Sequence, residues 1–321
     1  MNNATNEVKF ERNCSMFEEQ FTVVIGLPSK TLLWNNIIAC AVNVIIGIST
    51  VLLNGITLMI FWRSSRIRKS VCYFLLMLQS FFDFGVGIIA SPLAIFALAT
   101  EIAGDGRCLL GLAIGRVSML VLVFSMATLS AMHIERYMGV VHPLIHRRSV
   151  TKRKLLKYVT FVCVVYLIAF FISFVYNAVY FILTVLIVVM YLALTVYVYA
   201  RIFFAALTRK AFSNSDITSD TSQRTEEERH KDGRRTQKVF LKAIKLAKSC
   251  FLVVVCMFVC YLPLVCVKGL NLNGFDKWTA LTWAGTLALL NPSLNSIIFF
   301  WKNDLLRKES RDILKCICGS K

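Results

Sequence analysis

The chain has 321 residues, 57% of them hydrophobic and only 17% charged, and its mean hydropathy is +0.66. A soluble domain is nearer a quarter charged, so this composition excludes a water-soluble enzyme, and the wealth of apolar residues excludes a disordered chain. The formal net charge of +18 would suit nucleic acid by number alone. The basic residues instead flank long apolar runs, which points to membrane topology and anionic lipid rather than nucleic acid.

In chain order, 1–35 is a polar N-terminal segment with N-glycosylation patterns at Asn3 and Asn13. No cleavable signal is visible, so the first apolar run is expected to act as a signal anchor. Apolar spans follow at about Asn36 to Phe61, Val71 to Ala99, Cys108 to Ile134, Leu155 to Tyr176, Ala178 to Leu207, Ala247 to Val267 and Trp278 to Trp301. The fourth and fifth are separated only at Tyr176-Asn177-Ala178, so a very short turn is expected there. Evenly spaced alternating segments are missing, which argues against an outer-membrane barrel. The fold class is therefore an all-α membrane protein, a seven-helix bundle over 36–301 with a short amphipathic C-terminal helix in 302–321.

Within the bundle, 208–235 is rich in Ser, Thr, Asp, Glu and Arg and reads as a flexible loop. Lys238, Lys242, Lys245 and Lys248 then recur at helical spacing as a basic row. Of the 36 Lys and Arg, seven fall on the N-terminal side of the membrane and 29 on the other. The positive-inside rule places the N-terminus outside the cell and the loops and tail in the cytoplasm, with the plasma membrane as the expected location.

Seven of the 11 cysteines lie in or beside apolar spans and read as small core residues. Cys14 and Cys108 occupy extracellular aqueous positions, where oxidation is permitted, and are expected to bridge. Cys316 and Cys318 end the basic amphipathic stretch from Asn303 and are candidates for palmitoylation, with unmodified thiols as the alternative.

No Walker loop, His-Glu-x-x-His helix, GxSxG elbow or zinc-spaced cluster occurs, and an enzyme is not expected. His133, His142, His146 and His230 fall toward the cytoplasmic side and form no ligand set. Ionisable residues inside the membrane are costly unless they face a polar cavity, which singles out Asp83 and, at the inner end of the third span, Glu135 and Arg136.

The run Ile134-Glu135-Arg136-Tyr137-Met138-Gly139-Val140-Val141-His142-Pro143-Leu144 resembles the Asp/Glu-Arg-Tyr motif and second intracellular loop of rhodopsin-like G protein-coupled receptors. Asn54, Asp83, Cys260-Tyr261-Leu262-Pro263 and the run from Asn291 to Phe299 extend the resemblance from the first span to the seventh. It implies a receptor that couples an extracellular ligand to a heterotrimeric G protein. Arg136, beside Glu135 and Tyr137, would exchange its carboxylate partner for acceptors on an inserted G-protein helix when the sixth span swings outward, with Tyr199 as the fifth-span tyrosine of the switch. Pro263 would be the hinge, with Tyr261 at the toggle position, and Pro92 and Pro292 would kink their own spans.

The same resemblance implies a polar cluster of Asp83, Ser125, Asn291 and Asn295 that holds an allosteric sodium ion; the alternative is a neutral, hydrogen-bonded Asp83 without one. No other cofactor is expected. Ala243 stands where the family often has an acidic partner for the arginine, which suggests raised basal activity. Further departures are Tyr261 for the usual Trp, Ser296 and Phe299 for Pro and Tyr of the seventh-span motif, and no cysteine between the fourth and fifth spans. A receptor-like protein that has lost signalling is therefore the alternative, whereas a transporter would show several midplane charges.

Ser118 matches the amine-binding aspartate position, and Leu289 lies near the retinal-attachment position, so neither an amine nor retinal is expected. The short second extracellular loop, the absence of a fifth-span proline and Tyr199-Ala200-Arg201 look most similar to the melanocortin, adenosine and cannabinoid/lysolipid branch. Small amphiphile, nucleoside and peptide ligands fit equally. Ser118, Arg116 and Tyr261 are the pocket candidates; Arg116 would meet an anionic headgroup or, the reading the sequence favours, snorkel outward.

Overall fold

The computed structural model of the chain describes residues 11–16, 19–27, 29–215, 248, 251–264, 266–267 and 274–318. Ahead of the helices lies a hairpin that the polar N-terminal sequence did not suggest. Strands β1 (Glu11–Met16) and β2 (Glu19–Val24) pair antiparallel, with Cys14 opposite Phe21 and Arg12 opposite Val23. Cys14, Val23 and Val24 are buried, so this small sheet has an inner face.

The first span, α1 (Lys30–Arg63), starts six residues before Asn36, because the Ser29 hydroxyl caps it by accepting the Leu32 amide at 3.2 Å. After a single turn, α2 (Ser65–Lys69), the second span runs as α3 (Val71–Gly85), a π turn (Val86–Ala90) and α4 (Ser91–Ile102). The kink expected at Pro92 takes this form. A proline has no N–H for the carbonyl one turn earlier, and the ladder upstream widens to accommodate the loss.

Helix α5 (Cys108–Val141) continues seven residues past Ile134, so the Glu135–Arg136 strip is helical. Pro143 begins the short helix α6 (Pro143–Ser149), and α7 (Lys152–Ile172) and α8 (Asn177–Ser215) form the fourth and fifth spans, joined by the turn 173–176. The start of the loop expected at 208–235 is corrected: α8 carries on through its first eight residues to Ser215. Its remainder, together with Ala243, Lys238, Lys242 and Lys245, lies outside the described residues, as do Asn3 and His230. The sixth span is described as α9 (Phe251–Leu264). The seventh is α10 (Gly274–Lys302), followed by α11 (Asp304–Cys318), whose last turn holds Cys316 and Cys318.

Five described spans are long and apolar enough to cross a membrane: α1, α3 through α4, α5, α7 and α8. Helix α10 has the length but carries Asn291, Ser293, Asn295 and Ser296 within two turns, which dilutes its apolarity. Between 17% and 33% of each apolar span is buried within the protein, and the exposed remainder is rich in Ile, Leu, Val and Phe. Surfaces of that kind are stable against lipid rather than water, since every helical backbone bond is already satisfied. At the centre, α5 packs against α3, α7 and α8, while α1 packs against α3, α4 and α10. The main core gathers Leu75, Leu129, Met132, Val159, Val253 and Ile298 around α5.

Candidate functional site

Three polar zones run through the bundle. The first is at the end bearing α6 and α11. Glu135 and Arg136, on the last turns of α5, are 6% and 8% exposed and 2.9 Å apart. As chain neighbours they cannot line up well, and Glu135 Oε2 has no aligned hydrogen-bond donor; the contact is chiefly coulombic. The other oxygen, Oε1, is 3.1 Å from His146 Nε2 on α6. A single carboxylate thus faces two cation-capable groups, and the second of them was not singled out in the sequence. Tyr137 is hydrogen bonded to His142 at 3.4 Å and packs its ring near Tyr197.

One helical turn deeper lies a histidine hydrogen bonded to two tyrosines. His133 is fully buried, with Nε2 3.3 Å from the Tyr191 hydroxyl and Nδ1 3.2 Å from the Tyr199 hydroxyl, both on α8. A neutral imidazole has one donor and one acceptor nitrogen, so it can satisfy both hydroxyls in turn. Tyr199 is thereby tied to α5, and its ring meets Phe251 of α9 edge-on at 5.1 Å.

The second zone lies at mid-bundle, where α1, α3, α5 and α10 meet. Asp83 is 1% exposed. Its Oδ2 accepts from Asn295 Nδ2 at 3.1 Å and its Oδ1 from Gln79 Nε2, also at 3.1 Å. The same Gln79 nitrogen donates to Ser125 Oγ at 2.6 Å, and the Thr128 hydroxyl abuts Gln79 Oε1. Asp83, Asn295 and Ser125 therefore do share one cluster, but Ser125 joins it through Gln79, a residue passed over in the sequence. Its signal was available: an amide four residues before Asp83 lies on the same helical face. Asn291 is buried, and its Oδ1, like Asn295 Oδ1, has no hydrogen-bond partner. A sodium ion does not fit between Asp83 Oδ1 and Ser125 Oγ as they stand, because the Gln79 amide nitrogen sits there.

The α1–α10 seam continues this zone. Ser296 donates to Asn54 Oδ1 at 2.6 Å, Asn54 Nδ2 donates to the Thr50 carbonyl at 3.0 Å, and the hydroxyls of Thr50 and Ser293 are 2.7 Å apart. Further along, Asn43 Nδ2 donates to Thr286 Oγ1 at 2.9 Å. Gly87, in the π turn, permits this close approach of spans, since a Cβ there would lie 2.7 Å from Val51 Cγ2.

The third zone is the hairpin end. Cys14 and Cys108 form a disulfide with their Cα atoms 5.7 Å apart, fastening β1 to the start of α5. Trp278 Nε1 on α10 donates to Glu11 Oε1 at 2.6 Å, so the hairpin is held to α5 and α10 together. Gly106 makes room for it: a Cβ there would lie 1.7 Å from the Val24 carbonyl oxygen. Nearby, Asn36 Nδ2 donates to Glu101 Oε2 at 3.0 Å and Trp283 Nε1 to Asn35 Oδ1 at 2.8 Å.

The outward course favoured for Arg116 is overturned. It is 3% exposed, with its guanidinium carbon 5.8 Å from the Phe174 ring centroid, so the chain turns into the bundle near the α7–α8 turn. A cation resting on an aromatic face loses less on leaving water than an isolated one. Ser118, two residues on, is half-buried but falls about 200° around the helix from Arg116. The two candidates thus face different sides of α5. Tyr261 packs against the main core, with Pro263 half-buried two residues beyond it. Asn13 is exposed on β1.

Compared with known families, the chain matches the model described as 7 transmembrane receptor (rhodopsin family) over residues 53–299, from the end of α1 almost to the end of α10. No curated protein matches the chain.

Proposed function

The chain belongs to the rhodopsin family of seven-transmembrane receptors, and on that premise we propose that it converts binding of an extracellular ligand into activation of a heterotrimeric G protein. The observation that carries this reading is the buried Glu135–Arg136 pair, with Tyr137 beside it, at the end of the bundle that bears α6 and α11. A guanidinium whose contact with the adjacent carboxylate is poorly aligned can exchange it for the backbone acceptors of an inserted helix. Outward movement of α9 about Pro263 supplies the opening, and the ligand acts through its unequal affinity for the two packings. The protein's part is allosteric coupling, and no bond is made or broken by the receptor.

Orientation follows from two features that agree. The basic excess lies on the α6 and α11 side, and the Cys14–Cys108 bridge on the opposite side belongs in an oxidising compartment. We therefore place the hairpin outside the cell, in the plasma membrane, with Asn13 open to glycosylation and Cys316 and Cys318 positioned for palmitoylation at the inner leaflet. The ligand enters beneath the hairpin. With Arg116 turned inward, a pocket on its side of α5 favours a ligand bearing an anionic or strongly accepting group, while Ser118, in place of an acidic residue on another side of the helix, offers a cationic amine no counter-ion.

The experiment is G-protein dissociation in cells expressing the chain, with nucleosides, lipids and peptides as the ligand panel. Arg136→Ala is expected to abolish nucleotide exchange while leaving surface delivery intact. Exchange unchanged in that variant would overturn the role of Arg136. Silence of the parent across all G-protein families at confirmed surface expression would instead favour a receptor-like protein without signalling, the reading suggested by Tyr261, Ser296 and Phe299.

A further inference from the structure

Asp83 is the most deeply placed carboxylate of the bundle and needs either a cation or a set of donors to remain in a low-dielectric interior. The donors here come from the chain itself. Gln79 and Asn295 each give one amide N–H to a separate Asp83 oxygen at 3.1 Å, and the Gln79 nitrogen also reaches Ser125 Oγ at 2.6 Å. The orientation of the Gln79 amide is fixed from both ends. Turning it over would set its carbonyl oxygen against the carboxylate and remove the acceptor that the Thr128 hydroxyl faces. Thr128 Oγ1 is also 2.8 Å from the Ser125 carbonyl, which anchors that hydroxyl to α5.

A monovalent cation at this place would take its oxygens at about 2.3–2.6 Å, the range for calcium, which is of similar size. The point between Asp83 Oδ1 and Ser125 Oγ, where such an ion would meet both, is the one that Gln79 Nε2 occupies. We infer that Gln79 serves as a tethered substitute for the sodium ion, so that this receptor's resting bundle is stabilised by its own amide and does not respond to sodium. The substitution has a functional consequence. An ion can leave when the bundle repacks on activation, whereas an amide on α3 cannot, so the cost of rearranging this cluster does not vary with the salt outside the cell.

The test needs neither ligand nor G protein, and so its failure is separable from failure of the signalling role. The purified full-length chain is unfolded thermally in sodium chloride and in choline chloride at equal ionic strength. The parent is expected to show the same midpoint in both. Gln79→Leu, which removes the amide and frees the Asp83 and Ser125 oxygens, is expected to gain a saturable, sodium-specific rise on the order of 2 °C or more at tenfold excess over the dissociation constant. Asp83→Asn in the Gln79→Leu background is expected to abolish that rise. Gln79→Ser serves as the second variant should the leucine not fold. A sodium-specific rise in the parent that Asp83→Asn removes would overturn the inference, and so would the lack of any rise in both Gln79 variants.

Discussion

Replacing Glu135 by Gln keeps the shape of the side chain and an acceptor for His146 but removes the charge that faces Arg136. The structure sets the size of the effect. Both residues are under a tenth exposed, so solvent screens the pair little, yet the 2.9 Å contact is poorly aligned. A hydrogen bond to a charged group contributes about 1.5–3 kcal/mol net, and a buried ion pair without aligned hydrogen bonding is placed at the lower figure. If that contact favours the resting packing over the open one, its loss shifts the equilibrium by about tenfold, since 1.4 kcal/mol is a factor of ten. Ligand-free binding of a radiolabelled GTP analogue to membranes, at matched receptor number, is therefore expected to rise about tenfold in Glu135→Gln. Arg136→Ala added to that variant is expected to return exchange to background. Unchanged basal exchange in Glu135→Gln would mean that the carboxylate does not restrain Arg136, and the reasoning from geometry to switch would fail.

Two further variants probe the contacts that hold the frame. Ser296→Ala leaves Asn54 Oδ1 buried without the donor now 2.6 Å away; hydrogen bonds between membrane helices contribute about 0.6–1.7 kcal/mol, so the unfolding midpoint is expected to fall by about 2–4 °C, and an unchanged midpoint would contradict the place of that bond in the α1–α10 seam. Gly106→Ala puts a methyl group 1.7 Å from the Val24 carbonyl oxygen; overpacking of this kind costs about 1–3 kcal/mol, and limited proteolysis within 11–27 is expected to speed up about tenfold, with an unaltered rate arguing that the hairpin is not seated against that loop.

Much of the architecture was legible because the bilayer imposes one rule on length and apolarity. Seven apolar runs, a short turn between the fourth and fifth and the basic tail could all be placed without knowing any contact, although the turn falls at 173–176 rather than at 176–178. The Cys14–Cys108 pairing was legible too, since compartment left these two cysteines in water on the oxidising side. The β-hairpin was not, because strands of six residues draw their stability from what they pack on, here the start of α5 and Trp278, which lies 267 residues from Glu11. Arg116 was misplaced for a similar reason. Snorkelling is the default for a lone cation near a helix end, and only the position of Phe174 offers the inward course. Gln79 went unremarked and His133 was given no partner because a neutral polar side chain announces nothing about its partners, which come from α5 and α8.

The departures from the family pattern bear on whether the switch is altered or lost. Decay would leave buried polar groups at the substituted positions without partners, at about 1–3 kcal/mol each. At three such places the opposite is found. Ser296, standing where a proline was expected, uses its hydroxyl on Asn54. Phe299 offers no hydroxyl to Tyr199, and Tyr199 is bonded to His133 instead. Tyr191, on a fifth span that lacks a proline, completes the same histidine. Ser296, Tyr199 and Tyr191 are each met by a side chain on α1 or α5, so at these places the polar interior is satisfied by a different set of contacts. These contacts place the restraint on Tyr199 in α5 rather than α10, so opening of α9 must break the Tyr199–Phe251 ring contact without help from a hydroxyl at residue 299. That requirement predicts a switch limited by separation of α8 from α9, with Glu135 and His146 setting how tightly Arg136 waits below it.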